Sequence, residues 1–380
     1  MQPEYDVIVV GAGIIGSSTA YQAAKAGRSV LLLEQFSLNN NLNSSHGGSR
    51  IFRFAHEEPV YMPLAKDALN SWRQLEKESN TELLRQCGLL WAGSHELVQK
   101  RASNMKRNGV ECSVLRGKKI NEKFRHVNFG EEWSALFDPN GGVLFADKCV
   151  LAAQKMAHKY GAEIHDHEKV LRIDSDEIVH VYTDKSHYTS RKIIVTVGPW
   201  LEKVLPNLGI SARAQLMGVN YYKIKSNHDL FKTEKGSPML LIGDHIDPPV
   251  YSLPDVDIPG HVKAGVHMGV FIDPDGDRSQ PAWMETIPSK YFSIYTPDLD
   301  TTKPVKRTSC MYTVSEDEYF IIDKSPKHPH IFVAGGFSGY GFKFGPVVGE
   351  IMKKMAFGEP ITYDLSQFKI DRQIKNKSKI

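Results

Sequence analysis

The sequence predicts an α/β protein in which a Rossmann-like nucleotide-binding domain is joined to a second, α+β domain built on a mainly antiparallel sheet. Val7, Ile8, Val9 and Val10 form a wholly apolar run that passes straight into glycines. The same strand-then-glycine pattern returns at Ile331, Phe332, Val333 and Ala334, and residues 212–301 change to irregular strands rich in Pro, Asp and aromatic residues. Short apolar runs bounded by turn residues read as strands buried on both faces, which is how covered parallel sheets are built.

The 380 residues correspond to two or three domains at roughly 150 residues each. A chain of this length buries roughly 75% of the surface its unfolded form exposes, so the four cysteines are not needed as staples and disulfides are not expected. With 47 basic and 44 acidic side chains, 24% charged and 41% hydrophobic residues, the composition is that of an ordinary globular protein. The clustered basic excess of a nucleic-acid binder is missing. The N-terminus carries no basic region ahead of its apolar run, which argues against a secretory signal and for an intracellular protein. Residues 7–15 are broken by glycines and fall short of the roughly 20 apolar residues of a spanning helix, so no membrane span is expected. No metal site is expected either.

After the first strand, Gly11, Gly13 and Gly16 spell G-x-G-x-x-G, a helix of small residues follows over 14–26, and Gly27 caps it. Val30, Leu31, Leu32 and Leu33 make the second buried strand, closed by Glu34, 18 residues beyond the third glycine. The first glycine permits the tight turn, the second lets backbone approach a pyrophosphate, and the third lets the helix pack on the sheet. The helix N-terminus offers free N–H groups and the positive end of a dipole to the phosphates. Glu34 is placed to accept hydrogen bonds from the adenosine ribose, which favours FAD or NAD over NADP. Ile14, Ile15 and Gln35 flank these positions and belong to the same expected cofactor site.

Residues 39–45, rich in Asn and Ser, read as a loop. Cys149, Ala153, Met156 and Tyr160 recur at helical spacing and predict an amphipathic helix over 147–160, capped by Gly161. The runs 168–173 and 193–197 read as further wings of the nucleotide-binding sheet. Near the end, a glycine loop over 335–341 leads into a helix over 346–357, whose N-terminal dipole would favour negative charge on a reduced flavin.

Taken together these segments resemble the FAD-dependent amine oxidases of the monomeric sarcosine oxidase, peroxisomal sarcosine oxidase and L-pipecolate oxidase family. Besides the fingerprint, the resemblance rests on Ser45-His46-Gly47-Gly48-Ser49-Arg50-Ile51-Phe52-Arg53, Thr196-Val197-Gly198-Pro199-Trp200, Ser309-Cys310-Met311-Tyr312-Thr313 with Asp317-Glu318 and Phe320-Ile321-Ile322-Asp323, and Gly336-Phe337-Ser338-Gly339-Tyr340-Gly341-Phe342-Lys343. These motifs span residues 5–350 and look closest to the animal peroxisomal members.

The resemblance implies a D-amino-acid-oxidase-like FAD-binding domain over residues 1–84, 142–214 and 318–380, and a substrate domain over 85–141 and 215–317. It implies FAD held covalently, as a thioether, by Cys310; Cys87, Cys112 and Cys149 read as ordinary buried thiols. Ser45, His46, Arg50, Val170, Gly198, Trp200, Gly336, Gly339, Gly341, Phe342 and Lys343 would contact the cofactor, His46 and Arg50 against the flavin ring. Arg53 and Lys343 would hold the substrate carboxylate, the guanidinium by paired charge-assisted hydrogen bonds and the ammonium as a point charge. By the same resemblance Lys263 would promote reaction of reduced flavin with O2 as an isolated cation, while His267, Tyr251 and Tyr312 line the substrate pocket. A strand would put Lys263 and His267 on one face, and Lys343 has no charged neighbour in sequence. Two departures stand out: Ser252 follows Tyr251 where glycine is usual, and Tyr340 replaces the usual histidine.

The implied reaction oxidises a secondary amino acid (sarcosine, L-pipecolate or L-proline) to an imine, with O2 as acceptor and hydrogen peroxide as product, and family habit implies a monomer. Ser378-Lys379-Ile380 resembles the Ser-Lys-Leu peroxisomal address read by an import receptor, a solvated cytoplasmic tail being the alternative. Three rival readings remain open. A related dehydrogenase would not use O2, an NAD-dependent enzyme would leave Cys310 unexplained, and a non-catalytic flavin binder would not be reduced by any amine.

Overall fold

The computed structural model describes residues 4–374; Ser378, Lys379 and Ile380 lie outside them. The strand Tyr5–Val10 lies between Val30–Leu33 and His187–Val195, all parallel. Glu163–His165 extends this sheet on one side and Ile331–Gly335 on the other, where Ile321–Lys324 adds an antiparallel edge. The hairpin of Val170–Ser175 and Val179–Thr183 pairs antiparallel with the first part of His187–Val195.

Period-two alternation divides the apolar strands between two cores. Val7, Val9, Val30 and Leu32 face the helices Ile14–Lys25, Ala146–Lys159 and Gly345–Phe357, while Ile8, Val10, Leu31 and Leu33 face Val179, Val181, Leu201 and Leu208. The small residues of the first helix let the last one approach closely: a Cβ on Gly349 would stand 2.6 Å from the backbone of Ser18. Cys149, Ala153 and Met156 are buried on the Ala146–Lys159 helix, but Tyr160 is not a fourth core position. It lies just past the helix, exposed, its ring 5.9 Å from that of Tyr21.

The second sheet is mainly antiparallel, as expected, and is organised by the 13-residue strand Ala212–Ile224. Lys306–Ser315 and His261–Val266 pair with it antiparallel; Leu89–Gly93 with Met239–Ile242 is a parallel pair. The expectation of irregular strands over 212–301 needs correction: the strands are regular, and most of the Pro and Asp residues fall in the connections 243–249, 254–259 and 272–281. Helices Tyr61–Ser79, His95–Arg107 and Trp283–Tyr295 were not among the predicted elements. A three-stranded sheet of Ser49–Phe52, Gly142–Phe145 and Leu84–Gln86 carries the 45–53 motif. No helix among the described residues is long and apolar enough to cross a membrane, and all four cysteines are free thiols.

Candidate active site

One cavity of about 850 Å³ is lined both by the glycine turn at the carboxyl end of Tyr5–Val10 and by side chains of the antiparallel sheet. At the turn, Gly11 adopts φ +96°, and a Cβ there would stand 2.8 Å from the carbonyl oxygen of Thr196. A Cβ on Gly16 would stand 1.8 Å from the Gly11 carbonyl oxygen, so this glycine serves helix packing and does not line the cavity. Ala12 N–H donates to Glu34 Oε2 at 2.9 Å, Phe36 N–H to Oε1 at 3.0 Å, and Ile14 N–H to Ser45 Oγ at 3.0 Å. Burial pushes the Glu34 carboxyl up, and the backbone N–H groups oppose this. Ile14, Ile15, Glu34, Gln35, Ser45, Val170, Gly198 and Trp200 all line the cavity. The Ser44 hydroxyl at the same wall is buried without a hydrogen-bond partner. A side chain at Gly13 would press on Ser45 Oγ at 3.1 Å. These residues fit a dinucleotide: the turn is kept bare, and a donor at its wall waits for a partner.

Farther along, Arg50 donates to the carbonyls of Ser44 and His46 at 2.9 and 2.8 Å, and its guanidinium lies 5.6 Å from the Phe342 ring centre. Cys310, Tyr251 and Tyr312 line the cavity beside it. Lys263 is buried, donates to Ser49 O at 2.9 Å, and lies 3.4 Å from Asp257 Oδ2. The isolated cation expected at this position is therefore an ion-paired one. Burial pushes the Lys263 ammonium down, against the pull of Asp257, whose Oδ2 also accepts from Tyr221 Oη at 3.0 Å.

Arg53 and Lys343 come together across the chain. Their cationic groups lie 5.5 and 5.2 Å from the centre of the Tyr340 ring. Burial holds the Lys343 ammonium well below its ordinary value, and Arg53 adds to the shift. The charge that Lys343 lacks in its sequence neighbourhood is thus supplied by the fold. His267 follows directly on His261–Val266, and both it and Lys263 line the cavity. Tyr312 Oη and Tyr340 Oη approach the two His267 ring nitrogens, each at 3.5 Å. Burial, then Arg53 and Lys343, push His267 down to about 4, so its ring is neutral at physiological pH.

Gly339, Gly341 and Phe342 line the cavity; Gly336 and His46 do not. Gly336, at φ +59°, packs against Ile321 and Ser315 instead. His46 is half-buried, and burial with the neighbouring Arg50 and Lys263 pushes it down to about 4.

A model of the FAD dependent oxidoreductase family matches residues 6–355. The chain belongs to that family. It is 36% identical to the peroxisomal sarcosine oxidase of Mus musculus, over 97% of this chain and 96% of that protein. To the monomeric sarcosine oxidase of Bacillus sp. (strain B-0618) it is 32% identical, over 100% and 98%. Among solved structures, L-proline dehydrogenase from P. horikoshii superposes with a TM-score of 0.84 at 17% identity, over 97% of this chain and 98% of that one. The fold is that of the family, and the protein is an FAD-dependent oxidoreductase acting on CH–NH groups.

This FAD-dependent oxidoreductase also uses residues outside the sequence motifs. Asp257 pairs with Lys263, and Asp138 Oδ2 accepts the N–H of Phe54, next to Arg53, at 2.7 Å. Asp138 stands before Pro139, Asn140 and Gly141, a turn signal that also marks an acceptor for nearby backbone N–H groups. Asp257 lies in a Pro-bounded connection that carries no comparable signal.

Proposed function

We propose that the protein oxidises a small secondary amino acid, of the kind represented by sarcosine, L-pipecolate and L-proline, to the imine, with O2 as acceptor. Atoms balance as amine plus O2 giving imine plus hydrogen peroxide. The observation that carries this reading is the pair of half-buried Arg53 and buried Lys343 in the cavity that the glycine turn also lines, with no acidic ion-pair partner for either among the described residues. Relatives named as sarcosine oxidases over nearly the whole chain support the substrate class.

FAD, when bound, supplies the acceptor for the two electrons of the C–H bond beside the substrate nitrogen. The chain's residues do the rest. Arg53 and Lys343 clasp the carboxylate and fix the amine relative to it. The field that keeps His267 neutral also disfavours an ammonium, so the amine is held with its lone pair free. Gly11, Gly13, Glu34 and Ser45 would hold the nucleotide, and Arg50, Tyr251, Tyr312 and Phe342 would surround the ring system. Lys263 would supply the positive charge for reduction of O2.

Cys310, half-buried at the cavity wall, is the thiol we assign to covalent flavin attachment. Peroxisomal import through Ser378-Lys379-Ile380 and a monomeric state complete the reading, and both agree with the names of the mouse and bacterial relatives.

Anaerobic mixing of the holoenzyme with sarcosine, L-pipecolate and L-proline in turn tests the chemistry. Rapid bleaching of the flavin by one of them is expected; no bleaching by any overturns the substrate class. Acid-denatured wild type should keep its flavin on the protein, and Cys310→Ser should release it. Covalent flavin in that variant removes Cys310 from its role.

A further inference from the structure

Beside Arg53 and Lys343 the cavity holds a further cation that the reading above leaves without a task. Arg101, on His95–Arg107, lines it together with Trp91, Leu97 and Glu57. Leu97 and Arg101 share one helix face, so a cation stands where the pattern calls for an apolar residue. Its side chain is 13% exposed. The guanidinium lies 3.9 Å from the Trp91 ring centre, a stacking that fixes its plane. One terminal nitrogen donates to Leu97 O at 3.3 Å, the other lies 3.3 Å from Glu57 Oε2, and Nε is buried with no hydrogen-bond partner.

Glu57 does not cancel this charge by itself, because it is shared with Lys100. Burial and then Arg53 push Arg101 down, with Glu57 and, more weakly, Glu58 opposing. His56 is pushed down by burial first, and then by Arg53, Lys343 and Arg101. Three cations therefore bear on one another at the substrate end. The carboxylate of a simple amino acid offsets one of them and leaves the Arg101 Nε–H unused. Burying a cation without full compensation is costly, and an anionic group on the substrate would supply what is missing.

We propose that the preferred substrate is a secondary amino acid bearing a second carboxylate, and that Arg101 binds that group. The proposal rests on the amine-oxidation reading and names its substrate class. A purely structural Arg101, tying Trp91 to Glu57, would show no preference for the second acid.

The test compares kcat/KM of the holoenzyme for N-methyl-L-aspartate and its uncharged counterpart N-methyl-L-asparagine. A preference for the acid of about tenfold or more is expected, the size of one buried charge-assisted hydrogen bond. Arg101→Met should bring the ratio close to one, and Arg101→Lys should restore part of it. No preference in wild type, or an equal loss for both substrates in Arg101→Met, overturns the proposal. A second readout needs no turnover: succinate and propionate are titrated against the flavin absorbance of wild type and Arg101→Met. Tighter binding of succinate in wild type alone supports the site, and equal binding overturns it. If no amine reduces the flavin, the amine-oxidation reading falls, and the succinate titration still decides the role of Arg101.

Discussion

The two ends of the cavity are built on opposite principles. Around Gly11, Gly13 and Gly16 the chain keeps side chains out, so that backbone and helix end are exposed to the nucleotide, and neighbours stand where any Cβ would be. Around Arg53, Lys343 and Arg101 it does the reverse and gathers one buried and two half-buried cations along the cavity. The first end is set by sterics and has little tolerance for change. The second is an excess of positive charge that Glu57 offsets only in part, so substitutions there should spare the fold and change the chemistry.

That contrast is broken or sharpened first at Gly16. In Gly16→Ala the new methyl group would fall 1.8 Å from the Gly11 carbonyl oxygen, which belongs to the turn itself and has no rotamer to yield. Destabilisation at the exceptional end of point mutations, about 4 kcal/mol or more, is expected, read as loss of bound FAD and of a cooperative melt. Gly27→Ala is the control: nothing lies within 4 Å of its Cβ and only the φ of +77° resists, for about 1 kcal/mol. Similar losses in both variants would mean that conformation, and not close approach, governs the glycine turn.

At the other end, Arg53→Met and Lys343→Met should keep FAD content and melting behaviour close to wild type. Each should lower kcat/KM by about 10² to 10³, the range for truncating one partner of a buried charge pair. Wild-type kinetics in both would move the carboxylate site elsewhere. Lys263→Met should slow reoxidation of reduced flavin by O2 about tenfold or more while flavin reduction changes less. Because Asp257 would lose its cation, the ratio of the two half-reactions, and not either rate alone, is the measure. Equal slowing would assign Lys263 to structure.

The two ends differ equally in how much of them the sequence discloses. The glycine turn, its strand, its helix and Glu34 lie within thirty consecutive residues, and local rules suffice to read them. Arg53 and Lys343 lie 290 positions apart, and nothing local in either says that both face the Tyr340 ring; only the family motifs point to them. The Tyr61–Ser79 helix is legible from Tyr61, Leu64, Ala65, Ala68, Trp72 and Leu75 at helical spacing. That its Trp72 Nε1 donates to the Lys343 carbonyl at 2.8 Å, and so fixes the backbone of the second cation, depends on tertiary packing alone. Lys263 looks isolated because Asp257 reaches it across a strand connection. Arg101 is disclosed only by its place one turn from Leu97 on the same helix face.

The smallest expected effect concerns how Arg53 is held. Asp138, at the end of the strand Ser134–Asp138, is fully buried; its Oδ2 accepts the Phe54 N–H at 2.7 Å and its Oδ1 the Asn140 N–H at 3.1 Å. Burial pushes this carboxyl up to about 6, against those bonds. The native state therefore binds more protons than the unfolded chain between about 4 and 6, so the contribution of Asp138 to stability falls as pH rises through that window and is constant above it. The hold on the Arg53 backbone runs the other way, because an ionised acceptor makes the stronger hydrogen bond. Affinity for trifluoroacetate, an anion throughout the range, should weaken a few-fold as pH falls through about 6. It should weaken again on the alkaline side, where Lys343, already held well below its ordinary value, gives up its proton. Asp138→Asn should flatten the acid limb and Lys343→Met the alkaline one. An acid limb that survives in Asp138→Asn would show that Arg53 is positioned by its own bond to the Ala55 carbonyl, and the electrostatic end of the cavity would then be self-supporting.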